Sequence, residues 1–222
     1  MKKWSLYFIG ALVFLFPFND KANAKNLYPV WIIVHEQPLS FSNNTFNETY
    51  LGTRDYELYG SIEQREKIIL EEEVFNILKE QLEKDPSIQI HRIQADSFSD
   101  ILANPEPIWT KLKNNFGNEG AVLEVKISKR IYTSYENNTK SSIALVIGRA
   151  FFFLEKEKME GEKETVLVSP KKHLKDFLMN NGELLNSSLE KIKKVHLKWL
   201  AKSDISKRIS IRKADELNGK KE

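Results

Sequence analysis

Two long strand-like stretches in the middle of the chain restrict its fold more than any other feature. From Gly120 to about Tyr135, apolar and polar residues alternate, which is the pattern of a strand with one buried face. The run Ile143–Leu154 is apolar at odd and even positions alike, which is typical of a strand buried on both faces. The polar segment between them, Glu136–Lys140, has the composition of a hairpin loop. The sequence therefore predicts a sheet built around this hairpin.

Shorter stretches predict further elements around the hairpin. The middle of Tyr28–His35 is apolar at odd and even positions alike, which predicts another strand buried on both faces. After a turn at Lys158–Lys163, Thr165–Val168 predicts a third strand, which extends the hairpin to a meander. A helix is expected from a capping box at Ser61–Gln64 to Lys84, followed by a short strand at Ser87–Ile93. A second helix is expected to be capped by Asn104 and ended by Gly117. A last helical region is expected from Pro170 to Trp199, with a break near Asn181–Gly182.

These elements predict a mixed α/β (α+β) fold, with a single mixed sheet, a C-terminal three-strand meander and about three helices packed on it. We expect residues 25–202 to form one domain, with an insert rich in Asn and aromatic residues at 40–60 and a polar, disordered tail at 203–222. The residues that we expect to meet in one core are Trp31, Ile33, Leu78, Leu145, Ile147, Phe152 and Ile192.

The first 24 residues have the features of an export signal. Lys2 and Lys3 form a charged start, Trp4–Phe18 is almost unbroken apolar sequence, and Ala22-Asn23-Ala24 matches a signal peptidase site. An uncleaved anchor is the alternative, but a spanning helix needs about 20 apolar residues, and this run is shorter. We therefore expect cleavage after Ala24 and an exported protein, periplasmic or secreted.

Composition narrows the partners that such a protein can have. The chain has no cysteine, so disulfides, thiolate metal sites and a lipid anchor on an N-terminal cysteine are not expected. The net charge of +3 falls to about +1 without residues 1–24, so a basic surface for nucleic acids is not expected either. No second apolar run reaches spanning length, and we expect no membrane span in the mature chain. The remaining expectation is a bacterial envelope protein with protein partners.

The polar residues form no recognisable catalytic or cofactor motif. The four histidines are dispersed, and none stands at metal-ligand spacing. His196 falls on the apolar face of the last helix, where we expect a packed core residue. His91 and Asp96 are the best candidates for an acid/base pair, although a strand followed by a loop fixes no geometry between them. We predict no catalytic, metal-binding or cofactor-binding residues and no cofactor.

The insert at 40–60 is the sequence region with the composition of a contact surface. Aromatic side chains supply a large contact area with few rotatable bonds, which suits an interface. The same segment could instead fold back onto the sheet, and both interpretations stay open. The candidate interaction residues are Phe41, Phe46, Tyr50, Tyr56 and Tyr59.

The order of elements resembles that of small α/β domains in bacterial envelope proteins: the amino-terminal domain of TolB and the related folds of CsgG and the LpoB-type activators. The matching parts are Val74–Leu82 before Ile88–Ile90, the strand opening Gly120–Leu123, and Ile143–Leu154 followed by Gly161. The resemblance implies a binding or assembly domain in the envelope, and it carries over no catalytic residues.

Three functions fit these observations to different degrees. The first is a non-enzymatic envelope protein that binds or helps to assemble other proteins. The second is a secreted hydrolase with an unrecognised site, which would use His91, Asp96 and the aromatic loop around Tyr56 and Tyr59. The third is a carrier of a small apolar ligand, which requires a cavity lined by Trp31 and Phe151–Phe153. A deep cleft with converging polar groups would favour the hydrolase.

Overall fold

Two long antiparallel strands form the centre of the molecule. The computed structural model describes residues 27–43, 65–134, 140–161, 164–177 and 179–210. Strand β4 (Ala121–Ser134) pairs antiparallel with β5 (Lys140–Phe153) along its whole length. Both strands predicted from the sequence are confirmed, and they are the longest strands of the sheet among the described residues.

Parallel strands line the free side of β4. Strand β1 (Tyr28–Glu36) pairs parallel with the first half of β4, and β2 (Ser40–Asn43) continues along the second half. Strand β3 (Ile88–Ile93) pairs parallel with β1 and forms one edge of the sheet. Because β1 and β2 pair with successive parts of β4, they together form one interrupted strand beside it.

Three short strands line the other side, along β5. They are β6 (Lys158–Gly161), β7 (Thr165–Val168) and β8 (Lys172–His173), and each pairs antiparallel with a successive part of β5. A turn was predicted at Lys158–Lys163, but residues Lys158–Gly161 form strand β6 instead. Within the described residues the sheet has eight strands and mixed direction, which confirms the predicted fold class.

Helices cover both faces of this sheet. Helices α1 (Glu71–Leu82) and α4 (Glu183–Lys202) pack against each other and on one face, called here the α1/α4 face. Helices α2 (Ala95–Ala103) and α3 (Ile108–Phe116) cover one end of the other face, the α2/α3 face. Leu174–Phe177 and Met179–Gly182 form short 3-10 turns before α4, which starts after the predicted break.

The core is divided by the sheet, in contrast to the single core that we predicted. Successive residues of a strand point to opposite faces, and the sheet is buried on both. Four of the seven predicted residues lie on the α1/α4 face: Leu78, Leu145, Ile147 and Ile192. The other three lie on the α2/α3 face: Trp31, Ile33 and Phe152.

Helix α1 begins later than predicted. Residues 66–70 are not helical, and the capping box at Ser61–Gln64 lies outside the described residues. The side chain of Glu36, at the end of β1, replaces a local cap: its Oε2 accepts hydrogen bonds from the N–H groups of Leu70 and Glu71, both at 2.8 Å. A carboxylate at this position satisfies free N–H groups and interacts favourably with the helix dipole.

The region between β3 and α3 also differs from the prediction. Helix α2 was not expected, and Asn104 ends it as the C-terminal cap instead of starting the next helix. Helix α3 begins at Ile108, after Pro107. The Nζ of Lys111 donates to the carbonyls of Leu102 and Asn104, both at 2.7 Å, and thereby satisfies acceptors left free at the end of α2.

The segment after α4 contributes to the core. Residues 205–210 are helical, and Ile205 and Ile209 are buried on the α1/α4 face. Ser210 Oγ donates to Asp85 Oδ2 at 2.6 Å. The disordered tail predicted at 203–222 is therefore wrong for residues 205–210, because two isoleucines four apart are too few to stand out in a polar stretch; residues 211–222 lie outside the described residues.

Candidate functional site

The predicted interaction residues are only partly within the described structure. Phe41 belongs to β2, and its position along β4 is opposite Ile131. Phe46, Tyr50, Tyr56 and Tyr59 lie outside the described residues. The aromatic contact surface therefore stays a prediction.

The proposed acid/base pair of the hydrolase hypothesis is not assembled. The His91 ring stacks on Trp31, with ring centroids 5.6 Å apart. Within the described residues, no hydrogen bond or ion pair joins His91 to Asp96, which stands in the first turn of α2. The carrier hypothesis meets a similar obstacle, because Phe151 and Phe153 pack on one face of the sheet and Phe152 and Trp31 on the other.

A different histidine lies beside a carboxylate. On the α2/α3 face, His35 Nε2 is 3.2 Å from Glu124 Oε1, and Lys126 Nζ is also 3.2 Å from that oxygen. Burial lowers the pKa of His35, and the negative charge of Glu124 opposes this shift. The Ser128 hydroxyl, further along β4, donates to Gln37 Oε1 at 2.7 Å. His35 and Lys126 therefore compensate the charge of the nearly buried Glu124 carboxylate. The Ser128 hydroxyl is not part of this cluster, because it is bonded to Gln37.

A second polar cluster, around the buried Lys129, holds the backbone before α1 in place. Lys129 Nζ donates to Glu36 Oε1 at 2.9 Å, to Glu66 Oε2 at 2.8 Å and to the Ile68 carbonyl at 2.8 Å. All three protons of the ammonium group are thus used, with the side chain 4% exposed. Asn186 on α4 holds the same segment. Its Oδ1 accepts a hydrogen bond from the Lys67 N–H, and its Nδ2 donates to the Arg65 carbonyl. Together they fix the segment that leads into α1.

His196 is a packed histidine, as the sequence predicted. It is fully buried, and its Nε2 lies 2.8 Å from the Leu145 carbonyl oxygen on β5. Since a carbonyl only accepts, Nε2 carries the proton of the neutral ring. Burial lowers the pKa of His196, and the hydrogen bond to Leu145 partly offsets this effect.

An apolar groove of about 360 Å³ lies between β7 and α4. Most of its lining is aliphatic, with Ser169 and Ser188 among it, and the exposed lysines Lys172 and Lys191 border it. Val195 on the helix is more than half exposed beside it. We call it the β7–α4 groove; its aliphatic lining includes Leu167, Pro170, Leu184, Ile192 and Val195.

The strand that borders this groove is an edge of the sheet. Strand β7 pairs with β5, and the described residues provide no strand on its other side. The sequence predicts β7 and α4 but not the groove, because the groove forms only where these two separate elements meet. The one local signal was a Val-Leu-Val strand without charge, followed by Pro170.

The described residues hold no group of three or more side chains suited to a metal ion. Within the same residues, no helix combines the length and apolar character required to cross a bilayer.

Comparison with known proteins finds no matching family and no curated protein of similar sequence. Structural comparison finds solved structures that match most of this chain at low TM-scores. One is described as a neuraminyllactose-binding hemagglutinin homolog from Helicobacter pylori, with 14% identity, a TM-score of 0.39, and 90% of this chain and 96% of that chain covered. The hypothetical protein CT253 from Chlamydia trachomatis has 11% identity, a TM-score of 0.33, and 81% and 99% covered.

A third structure is the lipoprotein GNA1162 from Neisseria meningitidis, with 13% identity, a TM-score of 0.31, and 75% of this chain and 99% of that chain covered. These proteins are bacterial, and the TolB, CsgG and LpoB types are not among the three. At such identities and TM-scores, no ligand or activity is transferred to this chain.

Proposed function

We propose that this chain is an exported protein of the bacterial cell envelope that works without catalysis, by binding another protein at the β7–α4 groove. The observation that carries the proposal is the groove itself: aliphatic side chains beside an edge strand, with lysines at the rim. Core-like apolar surface surrounded by polar residues is the composition of protein interfaces.

The absence of a converging catalytic group among the described residues supports the non-enzymatic role. Catalysis by side chains requires a nucleophile or base within hydrogen-bond reach of its helpers. His35 and Glu124 are close, but no nucleophilic side chain joins them in the described structure. The export signal predicted at residues 1–24 supports the location, and the N-terminal sequence of the exported protein is expected to begin at Lys25.

Site-specific photo-crosslinking tests the groove. A photoreactive amino acid at Val195 is expected to capture a partner in the native envelope, and the same group at Ile69, which is 73% exposed and outside the groove, is expected not to capture it. The identified partner is then purified and its Kd measured. Val195→Glu should weaken binding at least about tenfold, because it buries a charge in the interface, whereas Ile69→Glu should not. Equal affinity for both variants and the wild type would overturn the proposal.

The aromatic segment from Phe41 to Tyr59 is a second proposed contact region, independent of the groove. Deletion of residues 42–53 distinguishes its two interpretations. Loss of the partner with an unchanged melting temperature would support a contact role, whereas loss of the fold would assign the segment to the core.

A further inference from the structure

We infer that the β7–α4 groove binds an extended, acidic peptide segment that adds a strand to the edge of β7 on which the described residues place no strand. This inference rests on the proposed function and specifies the partner's local structure and charge. Addition of a strand to a sheet edge beside a helix provides affinity through backbone hydrogen bonds and specificity through alternate side chains.

The backbone of β7 is oriented for such pairing. The Ser169 N–H donates to the Ile143 carbonyl of β5, so Ser169 and Leu167, two residues away, direct their backbone groups inward. The N–H and C=O groups of Val166 and Val168 then point to the outer edge. Val166 and Val168 are 47% and 53% exposed, and no described strand pairs with that edge.

The two edges of the sheet are protected differently. On β3, Arg92 pairs with Glu71 and Glu72 at 2.9 and 2.6 Å, and charge of this kind discourages pairing with other strands. The four residues of β7, Thr-Val-Leu-Val, carry no charge. An uncharged aliphatic edge is the kind that accepts another strand.

The groove selects the side chains of that strand. A strand beside β7 would point every second side chain towards α4, over Leu184, Ile192 and Val195, where apolar groups fit. Lys172 and Lys191 form no ion pair within the described residues, and Glu190 on the same helix already pairs with Lys193 at 3.0 Å. An Asp or Glu side chain, or a terminal carboxylate, is therefore the complementary group at the rim.

The test uses a phage-displayed library of random dodecapeptides, panned against the exported chain. We expect enriched sequences with alternating apolar residues and at least one acidic residue. Their Kd is measured by fluorescence anisotropy on Val166→Pro and on the matched Val166→Thr, which keeps the amide. Because the Val166 N–H points away from β5, proline should leave the ladder intact and weaken binding about tenfold, whereas threonine should stay within about twofold.

A second measurement changes the peptide instead of the protein. Methylation of the peptide amides that face β7 should abolish binding, and methylation of the alternate amides should not, since only every second amide reaches the edge. This alternation holds even if Val166→Pro lowers the melting temperature.

The outcomes separate the inference from the proposed function. If Val195→Glu prevents binding but neither proline nor methylation matters, the groove binds proteins through side chains alone and strand addition is wrong. If Val195→Glu also has no effect, the proposed function fails as well. A library that yields no specific sequence overturns the inference. Saturable binding of a fluorescent fatty acid that competes with the peptide and is insensitive to Val166→Pro would reassign the groove to a lipid and overturn it too.

Discussion

The two faces of the sheet use charged residues in different ways. On the α1/α4 face, helices cross the sheet, and Lys129 is buried with a partner for each of its protons. On the α2/α3 face, helices cover one end, and Glu124 interacts with His35, whose ring lies 5.9 Å from that of Phe98 on α2, and with Lys126, whose side chain is 60% exposed. The two clusters thus differ in the exposure of their cations: a buried ammonium group needs compensation by protein groups, whereas an exposed one is also hydrated. We therefore expect Lys129 to contribute more to stability than Lys126.

The largest expected effect comes from opening both cores at once. Leu78→Ala on the α1/α4 face and Phe98→Ala on the α2/α3 face should each lower the free energy of unfolding by about 2–5 kcal/mol, because each side chain is fully buried. Since the sheet separates the two sites, the double variant should lose the sum to within about 0.5 kcal/mol.

Urea denaturation of the four proteins measures this coupling. Ile69→Ala, at an exposed position, serves as the control and should change stability by less than about 0.5 kcal/mol. A coupling energy well above that value would mean that the two cores behave as one.

The next effect concerns the buried ammonium group. Lys129→Met keeps most of the side-chain volume but leaves Glu36 and Glu66 buried without their cation, which should cost about 3–5 kcal/mol. Lys126→Met is the control on the same strand, and its effect should be smaller, because Lys126 is 60% exposed and His35 remains beside Glu124. Equal losses in the two variants would contradict the contrast between the faces.

A smaller effect is expected where β1 approaches the start of β4. Gly120 has φ +116°, and a Cβ there would lie 2.5 Å from the Pro29 carbonyl oxygen and 2.7 Å from the Trp31 ring. Gly120→Ala should therefore destabilise the protein by about 1–3 kcal/mol in thermal or urea unfolding. Gly161→Ala is the control, since a Cβ at that position would meet no described atom within 4 Å. A neutral Gly120→Ala would show that the two strands can separate at this point.

The sequence predicted elements better than it predicted how they meet. Period and composition identified β4, β5, β7 and the break before α4, because these signals are local. The division of the core was missed because the face of Ile33 depends on its register with Glu124, more than 90 residues away in the chain. The start of α1 was missed for the same reason, since the residue that caps it is Glu36 on β1.

The groove was also beyond local patterns. Val166 and Val168 match an ordinary strand, and only the order of strands shows that they lie at an edge. Similarly, Leu184 and Val195 lie beside the core-facing residues of α4, and it is the position of β7 that makes them walls of a groove.

The smallest expected effect is a pH dependence that originates on the α1/α4 face. Burial lowers the pKa of His196 in the folded protein below the ordinary histidine value of 6.5, so between these two values the unfolded chain binds more protons than the folded one. Stability should therefore decrease as the pH falls below about 6.5. His196→Gln keeps a donor for the Leu145 carbonyl without titrating, and it should reduce the slope of unfolding free energy against pH between about 7.5 and 5.5. The slope should not vanish, because burial also lowers the pKa of His35. If His196→Gln keeps the wild-type slope, His196 is not the titrating group.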